Sequence, residues 1–289
     1  MRRRRPHPPL FTPQGFSLIE LVLVIAILGI LSTVLWLVIA GPVRAFFETG
    51  RRVALVEEAG SALTEMTRDI RATLPNSIRT TQSGGVIALE LLLTADGARY
   101  RDGPGGTVTS PADILTFNAP SKGFNILGHF TRLTLPLTTS TDSLVIYNTG
   151  QTGANAYDNT AGPPNVITPP GTTLSFTAGA SEDHVSISPA FQFKYRSPYD
   201  RVYVVSGPVS WFCDPAAGTL RRDSGYAITT TQTVSATAGA LAANQVSACS
   251  FTYTPGTAER AGLVTLSLTL SSHGESVTLL REVQVFNAP

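Results

Sequence analysis

The stretch GFSLIE at residues 15–20, followed at once by the apolar run LVLVIAILGIL at residues 21–31, sets the first element of this fold. Between Phe16 and Ala40 the only charged residue is Glu20. A helix of about 20 apolar residues spans the hydrocarbon core of a bilayer, so this segment is long enough to cross a membrane. A carboxylate in that environment costs about 2.5 kcal/mol or more, which indicates that Glu20 has a specific role.

Four consecutive arginines at residues 2–5 precede the apolar segment, and the first 15 residues contain no acid. A secretory signal peptide is the main alternative, but its apolar region has about 7–15 residues and is followed by a small-residue cleavage site. Here the apolar run is longer, and the glycine that resembles a cleavage site precedes it. The positive-inside rule predicts that the N-terminus is cytoplasmic and that the rest of the chain lies across the membrane.

The two cysteines, Cys213 and Cys249, lie far beyond the apolar segment. In a bacterium this topology places them in the oxidising periplasm, where a disulfide between them is expected. Neither cysteine belongs to a C-x-x-C or metal-like spacing, and two free buried thiols are the alternative. The neighbouring Trp211 is expected to pack in the core against the disulfide.

A second helical segment, residues 43–75, follows Gly41-Pro42, where a kink or local melting is expected because proline lacks an amide donor. Its apolar residues recur at spacings of three and four, which predicts a helix packed on a core. The helix is expected to end at the LPN sequence of residues 74–76, and Glu65 could pair with Arg68. The predicted apolar face consists of Val53, Val56, Ala59, Leu63, Met66, Ile70 and Leu74.

Residues 76–289 are predicted to form a β-rich domain, because short alternating runs are separated by Gly, Pro, Asn, Asp and Ser. Residues 264–271 and 277–285 predict a hairpin. A second hairpin is predicted from residues 191–195 and 202–205, and residues 151–171 are predicted to form a long surface loop. The candidate strands are residues 86–93, 113–117, 144–147, 173–176, 191–195, 202–205, 209–213, 219–222 and 249–253.

Composition argues against several functions. The net charge is +1 for the full chain and −3 without residues 1–15, so bulk charge does not favour nucleic acid as a partner. The chain has no G-x-S-x-G or H-E-x-x-H motif, and its histidines lack ligand spacing, so no catalytic residue, metal or cofactor is predicted. Asp183-His184 could be half of a catalytic pair, but a solvated loop is the favoured interpretation.

The stretch at residues 193–201 is both basic and aromatic. Its sequence, FKYRSPYDR, interleaves aromatic with basic residues, as in proteins that hold single-stranded nucleic acid by stacking. The favoured interpretation is the polar tip of the hairpin predicted from residues 191–205.

The N-terminal arrangement resembles the signal of type IV pilins and type II secretion pseudopilins. The resemblance implies that a prepilin peptidase cleaves the peptide bond between Gly15 and Phe16 and methylates the new amine of Phe16. It also implies that Glu20 helps subunits to register during assembly, by neutralising a neighbour's α-amine in an apolar bundle. A helix-dipole preference for an acid near a helix N-terminus, about 0.3–1 kcal/mol, is the alternative explanation of Glu20.

Further stretches resemble MshO-type minor pilins of the mannose-sensitive haemagglutinin (MSHA) pilus. They are RRVAL (51–55), RDIR (68–71), LPNSIR (74–79), GPVSWFCD (207–214), GLVTL (262–266) and GESVTLL (274–280). The resemblance implies an α+β, pilin-like fold with four parts. These are a cleaved leader (1–15), the transmembrane half of a helix (16–40), its amphipathic half (43–75) and a β-rich periplasmic domain (76–289).

The implied function is structural, not enzymatic. The chain is expected to be a minor pilin of the bacterial inner membrane that primes pilus assembly or caps the pilus tip. Its expected partners are other pilin subunits and prepilin peptidase. A minor pseudopilin of a type II secretion system, and a pilus-tip adhesin or DNA-binding module, are the alternatives.

Overall fold

The computed structural model describes residues 15–105, 110–256 and 260–286. The chain divides into two compact units, Met1–Arg51 and Arg52–Pro289. One long helix, α1 (Leu18–Arg71), is followed by a β-rich region of antiparallel sheets. This α+β architecture is the one predicted from the sequence.

Helix α1 continues without interruption through Pro42, so the expectation of local melting at Gly41-Pro42 was wrong. Proline removes a single i→i−4 hydrogen bond, and the turns on both sides remain helical. The helix ends at Arg71, before the LPN sequence of residues 74–76 where the sequence predicts its end. The N–H of Leu74 donates to Leu92 O at 2.7 Å, so the chain leaves the helix by pairing with a strand.

The strands of the described residues form three sheets. The large sheet has the order β1-β2-β8-β9-β10 with β5 paired to β8, the small sheet has the order β3-β7-β6-β4, and the C-terminal sheet has the order β11-β12-β13. In chain order the strands are β1 (Arg79–Ser83), β2 (Val86–Arg99), β3 (Ser121–Asn125), β4 (Leu137–Thr139), β5 (Ser143–Val145), β6 (Thr173–Thr177), β7 (His184–Phe191), β8 (Arg201–Asp214), β9 (Thr219–Ser224), β10 (Ala240–Asn244), β11 (Val246–Thr254), β12 (Gly262–Ser272) and β13 (Glu275–Val285).

The main core lies between the second half of α1, the large sheet and the C-terminal sheet. Of the predicted apolar face, Val53 and Val56 are 49% and 40% exposed, so their assignment to the core was wrong. Leu55 takes their place and is 3% exposed. The buried helix residues of this core are Leu55, Ala59, Ala62, Leu63, Met66 and Ile70. They meet alternate residues of β12, namely Val264, Leu266, Leu268 and Leu270, as the period of two predicts.

The C-terminal hairpin prediction is confirmed by β12 and β13, which pair from Gly262↔Val285 to Ser272↔Glu275. The hairpin predicted from residues 191–205 was wrong. Strand β7 ends at Phe191, and residues 202–205 belong to the long strand β8. They pair with β2 on one side and, at residues 203–205, with β5 on the other, so neither edge of this part of β8 is left for a hairpin with residues 191–195.

Three other sequence assignments change. Residues 113–117 are not a strand, and a short 3-10 helix covers Pro111–Asp113. The candidate strands 202–205 and 209–213 are one strand, β8, which shifts register near Gly207. Residues 151–171 contain no strand longer than an isolated bridge, but Ala156, Val166 and Ile167 are fully buried. This loop is therefore part of a core and not only a surface loop.

Cys213 on β8 and Cys249 on β11 form a disulfide between residues 36 positions apart. The bond joins the large sheet to the C-terminal sheet. Trp211, two residues before Cys213, is fully buried in the same core. Its indole therefore packs beside the disulfide, as the sequence indicates.

Candidate processing and anchoring site

The start of α1 leaves the proposed cleavage position outside the helix. Gly15 and Phe16 precede the first helical residue, and the first backbone bond runs from Leu21 N to Ser17 O at 3.1 Å. Phe16 is 83% exposed, and a Cβ added to Gly15 would meet no atom within 4 Å. Within the described residues, both side-chain positions are therefore exposed. The leader up to residue 14 lies outside the described residues.

The first part of α1 is apolar on all sides. The described residues contain one helix that is long and apolar enough to cross a membrane, with a mean hydropathy of 2.9 in its most apolar window. None of that window is buried inside the protein. Even Trp36 and Leu37 are 73% and 78% exposed. A helix that is apolar all round requires an apolar environment, which a bilayer or a bundle of such helices supplies.

Glu20 lies in the first turn of α1. Among the described residues no basic side chain forms an ion pair with it. The positive end of the helix dipole favours a carboxylate there by about 0.3–1 kcal/mol. That is less than the cost of about 2.5 kcal/mol or more for a charge in hydrocarbon, so the dipole alone does not explain an acid at this position.

Asp69 connects the second half of α1 to the large sheet through hydrogen bonds. It is not among the candidate residues predicted from the sequence. Asp69 is 6% exposed, and its Oδ2 accepts hydrogen bonds from Trp211 Nε1 at 3.0 Å and from Arg222 Nε at 2.8 Å. Arg222 Nη2 donates to Oδ1 at 3.1 Å. The ion-pair partner of Glu65 is also Arg222, at 3.7 Å, and not Arg68.

A second buried acid, Glu90 on β2, pairs with Arg79 on β1, an edge strand of the large sheet. Glu90 is 1% exposed, and Arg79 Nε donates to its Oε2 at 2.9 Å. Burial raises the pKa of Glu90, and the Arg79 guanidinium opposes that rise. Arg79 also stacks 3.6 Å from the centroid of the Tyr157 ring. A single acid within the apolar run VIALELLL (86–93) is the sequence signal that could have identified Glu90.

In the candidate catalytic dipeptide Asp183-His184, the two side chains contact different residues. Asp183 is 1% exposed and contacts His129 Nδ1 at 2.8 Å, and it accepts from Phe130 N at 2.8 Å. His184 Nδ1 instead lies 2.7 Å from Asn125 Oδ1. The two side chains are therefore not arranged as an acid–histidine pair, and Asp183 organises a turn.

Asp183 and Glu182, the acids near this turn, should make the stability of the fold depend on pH. Burial tends to raise the pKa of Asp183, but hydrogen bonds from His129, Phe130 N and Gly179 N lower it overall. A hydrogen bond from Arg101 lowers the pKa of Glu182. A carboxylate with a lowered folded-state pKa stabilises the fold above its unfolded pKa of about 4, and this stabilisation is lost as the pH falls through the folded-state pKa.

We therefore expect the stability of Asp183→Asn to fall less than that of the wild type as the pH is lowered from 5 to 3. Urea titrations of the full chain in detergent at pH 7, 5, 4 and 3 should show a smaller loss of the urea midpoint for the variant than for the wild type between pH 5 and 3. Asp158→Asn is the control, since the Asp158 carboxylate accepts no hydrogen bond from the described residues. Equal slopes for wild type and Asp183→Asn would contradict this assignment.

In comparison with models of known protein families, residues 12–36 match the Prokaryotic N-terminal methylation motif. The matched residues include Gly15, Phe16, Glu20 and the first part of the apolar helix. No curated protein and no solved structure gives a significant match to the chain. Residues 12–36 thus carry the N-terminal methylation signal of type IV prepilin-like proteins.

Proposed function

We propose that this chain is a minor type IV pilin, of the MshO type found in MSHA pilus systems. The observation that carries the proposal is the methylation motif at residues 12–36, located where an all-apolar helix begins. The large β-rich domain of residues 76–289, called the head below, suits a priming or tip subunit. A subunit at the tip does not need to pack against other subunits above it.

In this function a prepilin peptidase cleaves the chain after Gly15 and methylates the amine of Phe16. Residues 16–40 then hold the protein in the bacterial inner membrane, with the N-terminus in the cytoplasm and residues 76–289 in the periplasm. The arginines at residues 2–5 support this orientation. The disulfide between Cys213 and Cys249 supports it as well, since disulfides persist in the oxidising periplasm.

The role proposed for Glu20 follows from electrostatics in a low-dielectric bundle. Cleavage creates a positive α-amine at Phe16 that would be buried among apolar helices during assembly. A buried charge is tolerable when it is paired and costly when it is alone. Pairing with Glu20 of a neighbouring subunit would satisfy both charges and fix the axial stagger between the two helices.

Replacing Gly15 with leucine tests the processing step. We expect the variant to keep its leader, whereas the wild-type chain should begin at a methylated Phe16. The structure leaves open space around Gly15, so the substitution should not disturb the fold. Intact-mass measurement of the membrane-extracted protein distinguishes the forms, and Gly29→Leu is the control, because a Cβ at Gly29 also meets no atom within 4 Å. A wild-type chain that starts at Met1, or after the apolar run, would refute the proposal.

Replacing Glu20 with alanine separates anchoring from assembly. We expect membrane insertion to persist, because the variant loses a charge from an apolar span. Cleavage should continue, since Gly15 and Phe16 are unchanged. Cross-linking to other pilus subunits should fall about tenfold, as expected when the partner of a buried charge is removed. Cross-linking at the wild-type level in a cleaved, membrane-bound variant would leave the helix dipole as the better explanation of Glu20.

Deletion of the gene identifies the system in which the protein works. Loss of pili, with protein secretion intact, is the expected phenotype of a minor pilin. Loss of secretion with pili intact would instead assign the chain as a minor pseudopilin of a type II secretion system.

A further inference from the structure

The head carries an exposed cluster of aromatic and basic side chains that neither processing nor anchoring uses. It consists of Tyr199, Arg201, Phe286, Arg99 and Leu127 and is called the Arg201 patch below. Tyr199 and Phe286 are 58% and 60% exposed, and Leu127 is 42% exposed. Large apolar side chains that cluster on a surface with arginine are typical of protein interaction sites.

The patch is assembled from four parts of the chain. Arg99 ends β2, Arg201 begins β8, and Phe286 follows β13. The N–H of Leu127 donates to Arg99 O at 2.7 Å, which places Leu127 beside this strand end. Tyr199 and Arg201 come from the basic and aromatic stretch 193–201, which connects β7 to the first residue of β8 and is not the tip of a hairpin.

Arg201 contacts two exposed rings. Its guanidinium carbon is 5.5 Å from the centroid of the Tyr199 ring and 4.8 Å from that of Phe286. Aromatic contacts to a guanidinium engage its faces and leave N–H donors at its edge for a planar acceptor such as a carboxylate. The stacked rings also hold the side chain in place, which lowers the entropy lost on binding.

The charges of the patch are unbalanced. Arg99 and Arg201 are direct cross-strand partners on β2 and β8, and like charges at such positions repel each other. Asp200 compensates Arg99, with its Oδ2 3.3 Å from Arg99 Nη2. Within the described residues, no carboxylate forms an ion pair with Arg201. An incoming carboxylate would therefore relieve a repulsion as well as form a new pair.

The shape and charge of the patch favour a protein over other ligands. Small ligands are usually held in concave pockets, whereas the apolar side chains of the patch, Tyr199, Phe286 and Leu127, are exposed on the surface. Single-stranded nucleic acid would need several phosphate contacts, and only one arginine of the patch lacks an acid partner. Tyr, Phe and Arg are the residues enriched at the centres of protein interfaces.

We propose that the Arg201 patch binds a segment of another protein in which an aspartate or glutamate is flanked by apolar side chains. The carboxylate of that segment pairs with the edge of the Arg201 guanidinium. Its apolar neighbours cover Tyr199, Phe286 and Leu127. The proposal is independent of leader processing, because none of the five residues belongs to the motif at residues 12–36.

Site-specific photo-cross-linking in the native bacterial host tests this proposal with the full chain. The photoreactive residue p-benzoylphenylalanine replaces Tyr199 in one strain and Phe286 in another, and both substitutions keep an aromatic ring. Replacement of Leu280, which is 66% exposed on β13, is the control position. We expect adducts from positions 199 and 286, but not from position 280, to the same acid-containing peptide of a second protein, as identified by mass spectrometry.

Charge reversal then separates binding from folding. Arg201→Glu should lower the adduct yield about tenfold or more, as loss of a central interface arginine does. Changing the cross-linked acid of the partner to arginine should restore the yield with Arg201→Glu. Arg201→Gln, which adds no acid, should give an intermediate loss. The intact disulfide between Cys213 and Cys249 and a wild-type protein level serve as the folding control for both variants.

Four outcomes would overturn the proposal. They are an absence of adducts at positions 199 and 286, adducts that Arg201→Glu leaves unchanged, adducts to nucleic acid or lipid, and adducts only within the same chain, residues 287–289 included. Leader cleavage is measured in the same cells. If the leader is cleaved but the Arg201 patch does not bind as proposed, the proposed function is therefore not contradicted.

Discussion

Replacing Asp69 with alanine is expected to lower the free energy of unfolding by about 3 kcal/mol. Breaking a buried ion pair costs about 3–5 kcal/mol, and the lower value applies because the Arg222 side chain is 24% exposed. The substitution also leaves the buried indole N–H of Trp211 without its acceptor. Urea titration of the full chain in detergent, followed by far-ultraviolet circular dichroism, measures the change in every variant.

Two variants identify the origin of the Asp69 effect. Glu57→Ala removes an exposed acid from the same helix and should change stability by no more than about 0.5 kcal/mol. Trp211→Phe removes the indole donor but keeps an aromatic ring in the core, and it should cost less than Asp69→Ala. If Asp69→Ala and Glu57→Ala have equal effects, Asp69 does not fasten the helix to the sheet.

Replacing both Cys213 and Cys249 with alanine is expected to lower the free energy of unfolding by about 3–4 kcal/mol. In the loop-entropy model the bond restricts the unfolded chain by closing a loop whose ends are 36 residues apart. The loop contains β9 and β10, and the bond ties the large sheet to the C-terminal sheet. Loss of the bond should therefore loosen the contact between the two sheets, which are also joined by side-chain packing and by the hydrogen bond from Val246 N to Gly218 O at 3.1 Å.

Reduction provides the matched control for the cysteine variant. Wild-type protein treated with dithiothreitol should unfold at nearly the urea concentration of the double variant, and dithiothreitol should not affect the variant itself. Thiol labelling of denatured, unreduced protein should find no free cysteine. Two labelled cysteines would contradict the disulfide, and an unchanged urea midpoint after reduction would contradict its stabilising role.

Elements whose contacts are local were predictable from the sequence. The apolar run after Glu20 predicts a helix because every residue of the run favours the same environment. The C-terminal hairpin follows from alternation in β12 and β13, whose partners are neighbours along the chain. The methylation motif is local as well, since it occupies a single short stretch, residues 12–36.

The tertiary structure alone decided which distant residues meet. Asp69 contacts Trp211 and Arg222 across 142 and 153 residues, and no spacing in the sequence reports such a pair. The predicted hairpin at residues 191–205 failed for the same reason, because residues 202–205 pair with the distant strands β2 and β5 instead. The Arg201 patch likewise exists only after β2, β8 and the residue after β13 come together. Periodicity reports which face of a segment is buried, whereas the identity of the covering segment depends on the packing of the whole chain.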